Sequence, residues 1–297
     1  MFRFDPTELR KFGGLTLLAR RFVEGFLTGV HRSPFKGFSV EFAEHRQYYP
    51  GDEIRHIDWR AFGKTDRYYI KEYEEETNLK LYLLVDASGS MGFQGNVAKV
   101  SKFQYAQHVA ASLAYLMLHQ LDAVGLIVHD TQVRHLVPPK TTPKHLLNLL
   151  TTLEKVQPGG ETSLAPIWDE LAGHYLKRRG MVIILSDFFD SMEPLVKALQ
   201  HLRFRNHEVL LMHILAPEEI DFPYHRVTQF RNLERSGHHL LVDPRRLREE
   251  YQKNFEQFCA ELRKQAGKLQ FDYHRLRTDE PIDKALGIYL GRRQRRG

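Results

Sequence analysis

Asp86, Ser88 and Ser90 occupy alternate positions in VDASGSM (85–91), immediately after the apolar run LKLYLLV (79–85). Two further oxygen-bearing segments lie downstream: Thr162 and Ser163 after KVQPGGE, and Asp187 at the end of MVIILSD. Carboxylates and hydroxyls are hard donors, and a set with one or two carboxylates suits Mg²⁺, with Mn²⁺ or Ca²⁺ as alternatives. With few charged ligands the ion keeps positive charge and an open position, the profile of a docking site for an incoming carboxylate. Taken singly these residues have plainer readings. An Asp-x-Ser after a strand serves as a helix N-cap, and Thr162 or Asp187 alone could also be caps. As an aspartyl nucleophile Asp86 lacks a second acid two residues on, where Ser88 stands. ASGSM is not the G-x-S-x-G elbow, and the phosphate-cradling G-x-x-x-x-G-K-[ST] is absent. A metal-dependent hydrolase built on the same oxygens is the alternative, weakened because no general base is evident beside them.

The elements that would position these residues follow from the apolar rhythm. Residues 79–86 are continuously apolar, the mark of a strand buried on both faces. A long helix is expected over 97–121, with Phe103, Val109, Leu113 and Leu116 on its apolar side. Strands follow at 123–130 and VRHLVPP, joined by a turn so short that the pair must be antiparallel. Helices at about 143–154 and 164–178, a strand at 181–187, a helix at 191–205 and a strand at 207–215 continue the alternation. HHLLVD (238–243) is expected at a sheet edge; helix 244–267, the strand LQFDYHRL and helix 281–290 complete the domain. This alternation specifies an α/β fold: a doubly wound, Rossmann-like sheet with helices on both faces. In such sheets ligands bind beyond the carboxyl ends of the strands, where strand order reverses. If strands 79–86 and 181–187 are neighbours there, Asp86 and Asp187 converge, and the N-terminus of helix 164–178 lies at the same edge.

Before residue 79 the chain differs. Residues 1–30 read as a helical lead-in, and 31–78 as a small β-rich appendage, with FSVEF and YYIKEYEEE as strands. The expected division is therefore 1–78, 79–290 and a basic tail at 291–297. Bulk properties narrow the class. A 42% hydrophobic and 11% aromatic content supports a packed core. Lys+Arg exceeds Asp+Glu by 43 − 37 = 6, much of it in the terminal arginines, and no nucleic-acid signature accompanies it. The single cysteine, Cys259, excludes an internal disulfide framework and suits a reducing compartment. No secretory leader or run of about 18 apolar residues is present, so a cytoplasmic chain without a membrane span is expected. The histidines fall in no zinc-like spacing; His129, Asp130 and His135 read as hairpin surface residues.

DASGS, the GGETS loop and LSD together resemble the metal-ion-dependent adhesion site (MIDAS) of von Willebrand factor A domains. RSPFKGFSVEFAEHRQYYPGDEIRHIDWRAFGKTDRYYIKEYEEE resembles the signature of bacterial domain-of-unknown-function family 58 (DUF58), whose members carry an A-like domain after it. The resemblance implies Asp86, Ser88, Ser90, Thr162 and Asp187 as the metal-site residues. The family element reads Gly-Gly-Thr, whereas here Glu161 intervenes, a rim charge or a competitor for the ion. It also implies a non-enzymatic partner of MoxR-type AAA+ ATPases, engaged with the ATPase or its client in protein or metal-centre maturation. Within GDEIRHIDWR, the residues Asp52, Arg55, Asp58 and Arg60 could form a partner-binding face. The plainer reading is a charged and hydrogen-bonded network that packs the appendage against the A-like domain, with Trp59 as its anchor.

Overall fold

The computed structural model describes residues 14–29, 45–47, 62–63, 68–71, 80–161, 163–176, 179–234 and 237–294. The chain forms two compact units: residues 34–78, and residues 1–33 together with 79–297. The first helix thus belongs with the large unit, whereas its sequence neighbours had grouped it with the appendage. Its apolar face explains the difference: Leu15, Leu18, Ala19, Phe22 and Val23 recur at helical spacing and join the core of the large unit. In the small unit, strands β1 (His45–Gln47) and β2 (Tyr69–Lys71) pair antiparallel, and Phe62 stacks on Tyr68 at 4.4 Å.

In the large unit, α1 (Gly14–Gly29) precedes strand β3 (Lys80–Asp86) and helix α2 (Lys102–His119). Strands β4 (Ala123–His129) and β5 (Val133–Lys140) follow, then helices α3 (Pro143–Lys155) and α4 (Leu164–Glu170). Strand β6 (Met181–Ser186), helix α5 (Met192–Phe204), strand β7 (Glu208–Leu215) and the short helix α6 (Pro217–Asp221) come next. Strands β8 (Thr228–Arg231) and β9 (His239–Val242), helix α7 (Pro244–Lys268), strand β10 (Asp272–Arg277) and helix α8 (Asp283–Gln294) complete the order. The six-stranded sheet runs β10-β7-β6-β3-β4-β5. Every neighbouring pair is parallel except β4–β5. That is the doubly wound order, with the reversal between β3 and β6.

Alternation along the strands sorts the core. Leu81, Leu83 and Val85 of β3 face one helical layer with Ile183 and Leu185 of β6, against α1, α2, α3 and α8. Tyr82 and Leu84 face the other, with Val182 and Ile184, against α4, α5 and α7. Each buried Leu, Ile or Val contributes about 1.5–3 kcal/mol of apolar burial, so both faces resist a change of register. Helix α2 starts at Ser101, whose hydroxyl accepts from the Gln104 N–H while the Gln104 side chain accepts from the Ser101 N–H, a capping box.

Three expectations are corrected. The segment 238–243 does not edge the main sheet: β9 pairs with β8 as a separate two-stranded ribbon. β8, TQFR, has alternate half-burial and no apolar run, so its pairing left no strong pattern; β10 takes the sheet edge instead. The helix expected over 164–178 stops at Glu170 and widens into a π-turn over Leu171–Tyr175, closed by Leu176 N–H to Leu171 O at 2.8 Å. His129 and Asp130 are buried rather than on the hairpin surface, because β4 lies inside the sheet; only His135 of the three is exposed. The expected strand FSVEF lies outside the described residues.

Candidate functional site

The adjacent strands β4, β3 and β6 end alike. Asp86 Oδ1 accepts from Ser88 N–H at 2.9 Å, Asp187 Oδ1 from Phe189 N–H at 3.2 Å, and Asp130 Oδ1 from Gln132 N–H at 3.0 Å. An aspartate bonding the backbone two residues on is the turn that best stops a strand while keeping its carboxylate at the sheet edge. After Asp86 the chain makes one short 3-10 turn, Gly89–Gly92. It is pinned on two sides: Ala87 N–H donates to His129 O at 2.7 Å, and Gly89 N–H donates to Gly160 O at 3.0 Å. The loop after α3 answers through Gly159 N–H to Ala87 O at 2.9 Å. A Cβ on Gly89 would lie 2.4 Å from Leu233 O and 2.9 Å from Gly160 O, so glycine is required where three segments meet. The N-terminus of α4 reaches the same edge, with Leu164 N–H donating to Asp190 Oδ2 at 2.8 Å.

Asp86, Ser88 and Asp187 are fully buried and Ser90 half-buried. The hydroxyls of Ser88 and Ser90 lie 3.2 Å apart, and Ser90 hydrogen-bonds Asp187. Four of the five residues singled out for metal chemistry therefore gather in one cluster. Thr162 lies outside the described residues, as do Asp52, Arg55, Asp58 and Arg60; Glu161 is exposed on the loop.

Two members were not legible as site residues. Ser186, the last residue of β6, donates to Asp86 Oδ2 at 2.6 Å and accepts from Phe188 N–H at 2.9 Å. Lys102 is buried, and its ammonium bonds Asp187 Oδ2 at 2.7 Å and Glu219 Oε1 at 2.6 Å. A signal for Lys102 existed. A lysine at the first helical position opposes the helix dipole, and such a lysine calls for an acidic partner elsewhere. Ser186 offered none, since a serine ending an apolar strand is unremarkable by pattern.

Charge separates the two carboxylates. Burial, then the nearby Asp187 charge, pushes the Asp86 carboxyl well above the usual carboxylate range, against hydrogen bonds from Ser186 and Ser88. Burial would also raise Asp187, but the Lys102 ammonium outweighs it and holds Asp187 below that range. Lys102 itself is raised, since Asp187 and Glu219 overcome the burial that would lower it. Behind the cluster, Trp168 Nε1–H donates to His129 Nε2 at 3.3 Å, and burial pushes His129 down to about 4, so the ring stays neutral. Among the described residues no three or more His, Cys, Asp or Glu side chains gather to hold a metal; two carboxylates and two hydroxyls are the donors here.

The family model for the protein of unknown function DUF58 matches residues 44–260. The chain belongs to this family. Uncharacterized protein Rv1480 of Mycobacterium tuberculosis is 28% identical over 222 residues, covering 74% of this chain and 68% of its own. Among solved structures, the conserved hypothetical protein BatB of Bacteroides thetaiotaomicron is 16% identical. It has a TM-score of 0.49, over 72% of this chain and 98% of its own. The SpRpn10 VWA domain is 9% identical with a TM-score of 0.41, over 70% of this chain and 94% of its own. Among the described residues of this DUF58 chain, no helix is long and apolar enough to cross a membrane.

Proposed function

We propose that this chain is a non-catalytic protein-interaction module whose oxygen cluster takes a divalent cation and, through it, a carboxylate of a partner. Asp86, Ser88, Ser90 and Asp187 would hold the cation, with Thr162 as a further donor. Mg²⁺ is the preferred ion for an all-oxygen set with few carboxylates, ahead of Mn²⁺ or Ca²⁺. Once bound, the cation supplies a fixed positive centre that an incoming carboxylate completes.

One observation carries this reading: Asp86 is a buried carboxylate whose partners are hydrogen-bond donors without charge, a Ser88 N–H and the Ser186 hydroxyl. A charge so placed costs several kcal/mol unless it is paired or coordinates a metal. Asp187 already has Lys102, so the unmet demand for positive charge sits on the Asp86 side. The second lone pairs of the carboxylate oxygens and the two serine hydroxyls remain as donors to an ion or its waters. Ser186 holds the Asp86 carboxylate in place, and the Gly159–Gly160 loop fixes the backbone that carries Ser88.

The partner that this reading favours is a MoxR-type AAA+ ATPase or its client, with Glu161 at the rim and Asp52, Arg55, Asp58 and Arg60 as a second contact region. The test is a pull-down of a MoxR-type ATPase from the same genome, with magnesium and with EDTA. Capture should require magnesium and vanish in Asp86→Ala and Ser88→Ala proteins that keep wild-type circular dichroism. Capture that survives either change removes the proposal.

A further inference from the structure

A cavity of about 540 Å³ adjoins the oxygen cluster, with Ser90 and Lys102 in its lining. Both strand-end loops of the cluster contribute an aromatic ring to its walls. Phe93 closes the turn that carries Ser90, its N–H donating to the Ser90 carbonyl at 3.1 Å. Phe189 stands two residues after Asp187, its N–H donating to Asp187 Oδ1 at 3.2 Å. The Lys102 ammonium lies 6.0 Å from the centre of each ring, at the boundary between cluster and cavity. Further rings extend the wall: Phe222 stacks on Tyr251 at 4.5 Å and on Phe230 at 6.0 Å. Arg248 fixes the Phe222 turn by donating to the Phe222 and Tyr224 carbonyls at 2.8 and 3.4 Å.

The polar side chains inside the cavity are bonded within the fold. Lys102 is committed to Asp187 and Glu219. Both Glu219 oxygens accept, one from Lys102 and the other from Ala216 N–H at 2.8 Å. The Tyr251 hydroxyl donates to the Glu219 carbonyl at 2.9 Å. A charged occupant would therefore find its natural partners taken, and its own desolvation would go uncompensated. The apolar lining is in the opposite condition, because much of it stays open. On the ribbon Phe230 pairs with Leu240 in register, and Phe189, Leu233 and Leu240 are 46, 48 and 62% exposed. Apolar surface left open beside a polar site marks a contact surface for a partner.

We propose that this cavity receives a large apolar side chain, phenylalanine or leucine, from the partner segment whose carboxylate meets the cation. The side chain would lie among Phe93, Phe189, Phe222, Phe230 and Tyr251, with Leu240 closing over it from the ribbon. Continuity with the cluster through Ser90, Phe93 and Phe189 is what ties the two contacts to one segment. In an extended chain, residues two apart project to the same side about 7 Å from each other. An acidic residue and an apolar one at that spacing would reach cation and cavity together. The placement of the carboxylate rests on the cation reading; the selection of an apolar side chain rests on the cavity alone and needs no metal.

The test uses the full chain and the peptide acetyl-Gly-Glu-Gly-Phe-Gly-amide, titrated by NMR on protein labelled at Phe and Tyr rings. With magnesium the peptide should shift the Phe189, Phe230 and Tyr251 signals. Exchanging its Phe for Ser or Lys should weaken binding by roughly tenfold or more. In EDTA, or with Gln in place of its Glu, binding should weaken while the preference for Phe over Ser persists. Leu240→Ser, a change at an exposed position, should reduce that preference, and Phe230→Ala provides a second variant that should do the same. Equal binding of the Phe and Ser peptides would overturn the proposal and leave the cation reading standing on its Glu dependence. A preference for Phe with no response to magnesium or to the Glu exchange would support the cavity and remove the cation reading. A preference unchanged in both protein variants would place the side chain elsewhere and overturn the proposal. Ring signals that move with protein concentration alone would assign the cavity to a second copy of this chain and overturn it equally.

Discussion

Asp86 and Asp187 end neighbouring parallel strands, each turned by the same bond to the backbone two residues on, and each fully buried. They differ in what neutralises them. Asp187 has an internal ammonium, Lys102, and its carboxyl is held low; Asp86 has hydroxyl and amide donors alone, and its carboxyl is pushed up. Two identical side chains in one crevice are thus shifted in opposite directions, Asp86 upward by burial and the Asp187 charge, Asp187 downward by the lysine on α2. One of the two is a finished internal ion pair, and the other has only uncharged donors bonded to it.

The largest expected effect comes from removing the lysine that creates this difference. Lys102→Met leaves the buried Asp187 and the half-buried Glu219 without their cation and should cost about 3–5 kcal/mol, read by urea unfolding. Adding Asp187→Asn and Glu219→Gln to the same chain should recover most of that loss. Recovery would show that the cost is charge; none would show that the Lys102 stem matters through packing.

Next in size is the close backbone approach at Gly89. Gly89→Ala forces a Cβ against two backbone carbonyls and should destabilise by about 1–3 kcal/mol. Ser186→Ala removes the hydroxyl that holds Asp86 and should cost a similar amount, about 1–3 kcal/mol, since it leaves a buried acceptor unmet. Its effect should shrink at low pH, where Asp86 is protonated, whereas that of Gly89→Ala should not. An equal pH response from both would break the assignment of Ser186 to the carboxylate.

The smallest effect per step is a slope with pH. His129 takes a proton at about 4 in the folded chain, and near 6.5 when unfolded. The unfolded state therefore binds more protons between those values. Stability present above about 6.5 is lost as pH falls, at up to about 1.4 kcal/mol per unit. Asp86 acts oppositely, since a raised carboxyl favours the folded state on acidification and that contribution is lost as pH rises. In EDTA, Asp86→Asn should accordingly steepen the acid loss. A slope unchanged by Asp86→Asn would mean that Asp86 is not raised.

The four inner strands, β3, β4, β6 and β7, were legible because they are buried on both faces and carry nearly continuous apolar runs, three of them ending at an aspartate. The adjacency of β3 and β6 followed from the doubly wound order, and with it the meeting of Asp86 and Asp187. What sequence pattern missed were partners that reach the cluster across the fold: Ser186 and Glu219, and Lys102, whose position at the helix start hinted at an acidic partner without naming it. Lys102 lies 85 positions from Asp187 and 117 from Glu219, beyond any periodic reading. Strand 238–243 was expected, but its partner β8 was missed for another reason. β8 is short and alternates between half-buried and exposed positions, so no run of apolar residues marked it as the partner.

The central claim is that Asp86 waits for a cation whereas Asp187 does not, and calorimetric titration of Mg²⁺ into EDTA-stripped protein tests it most directly. Wild-type protein should bind magnesium at a saturable site, and Asp86→Asn protein with an unchanged fold should not. Magnesium binding equally well to Asp86→Asn, or no binding of a divalent cation to the wild type, would contradict it.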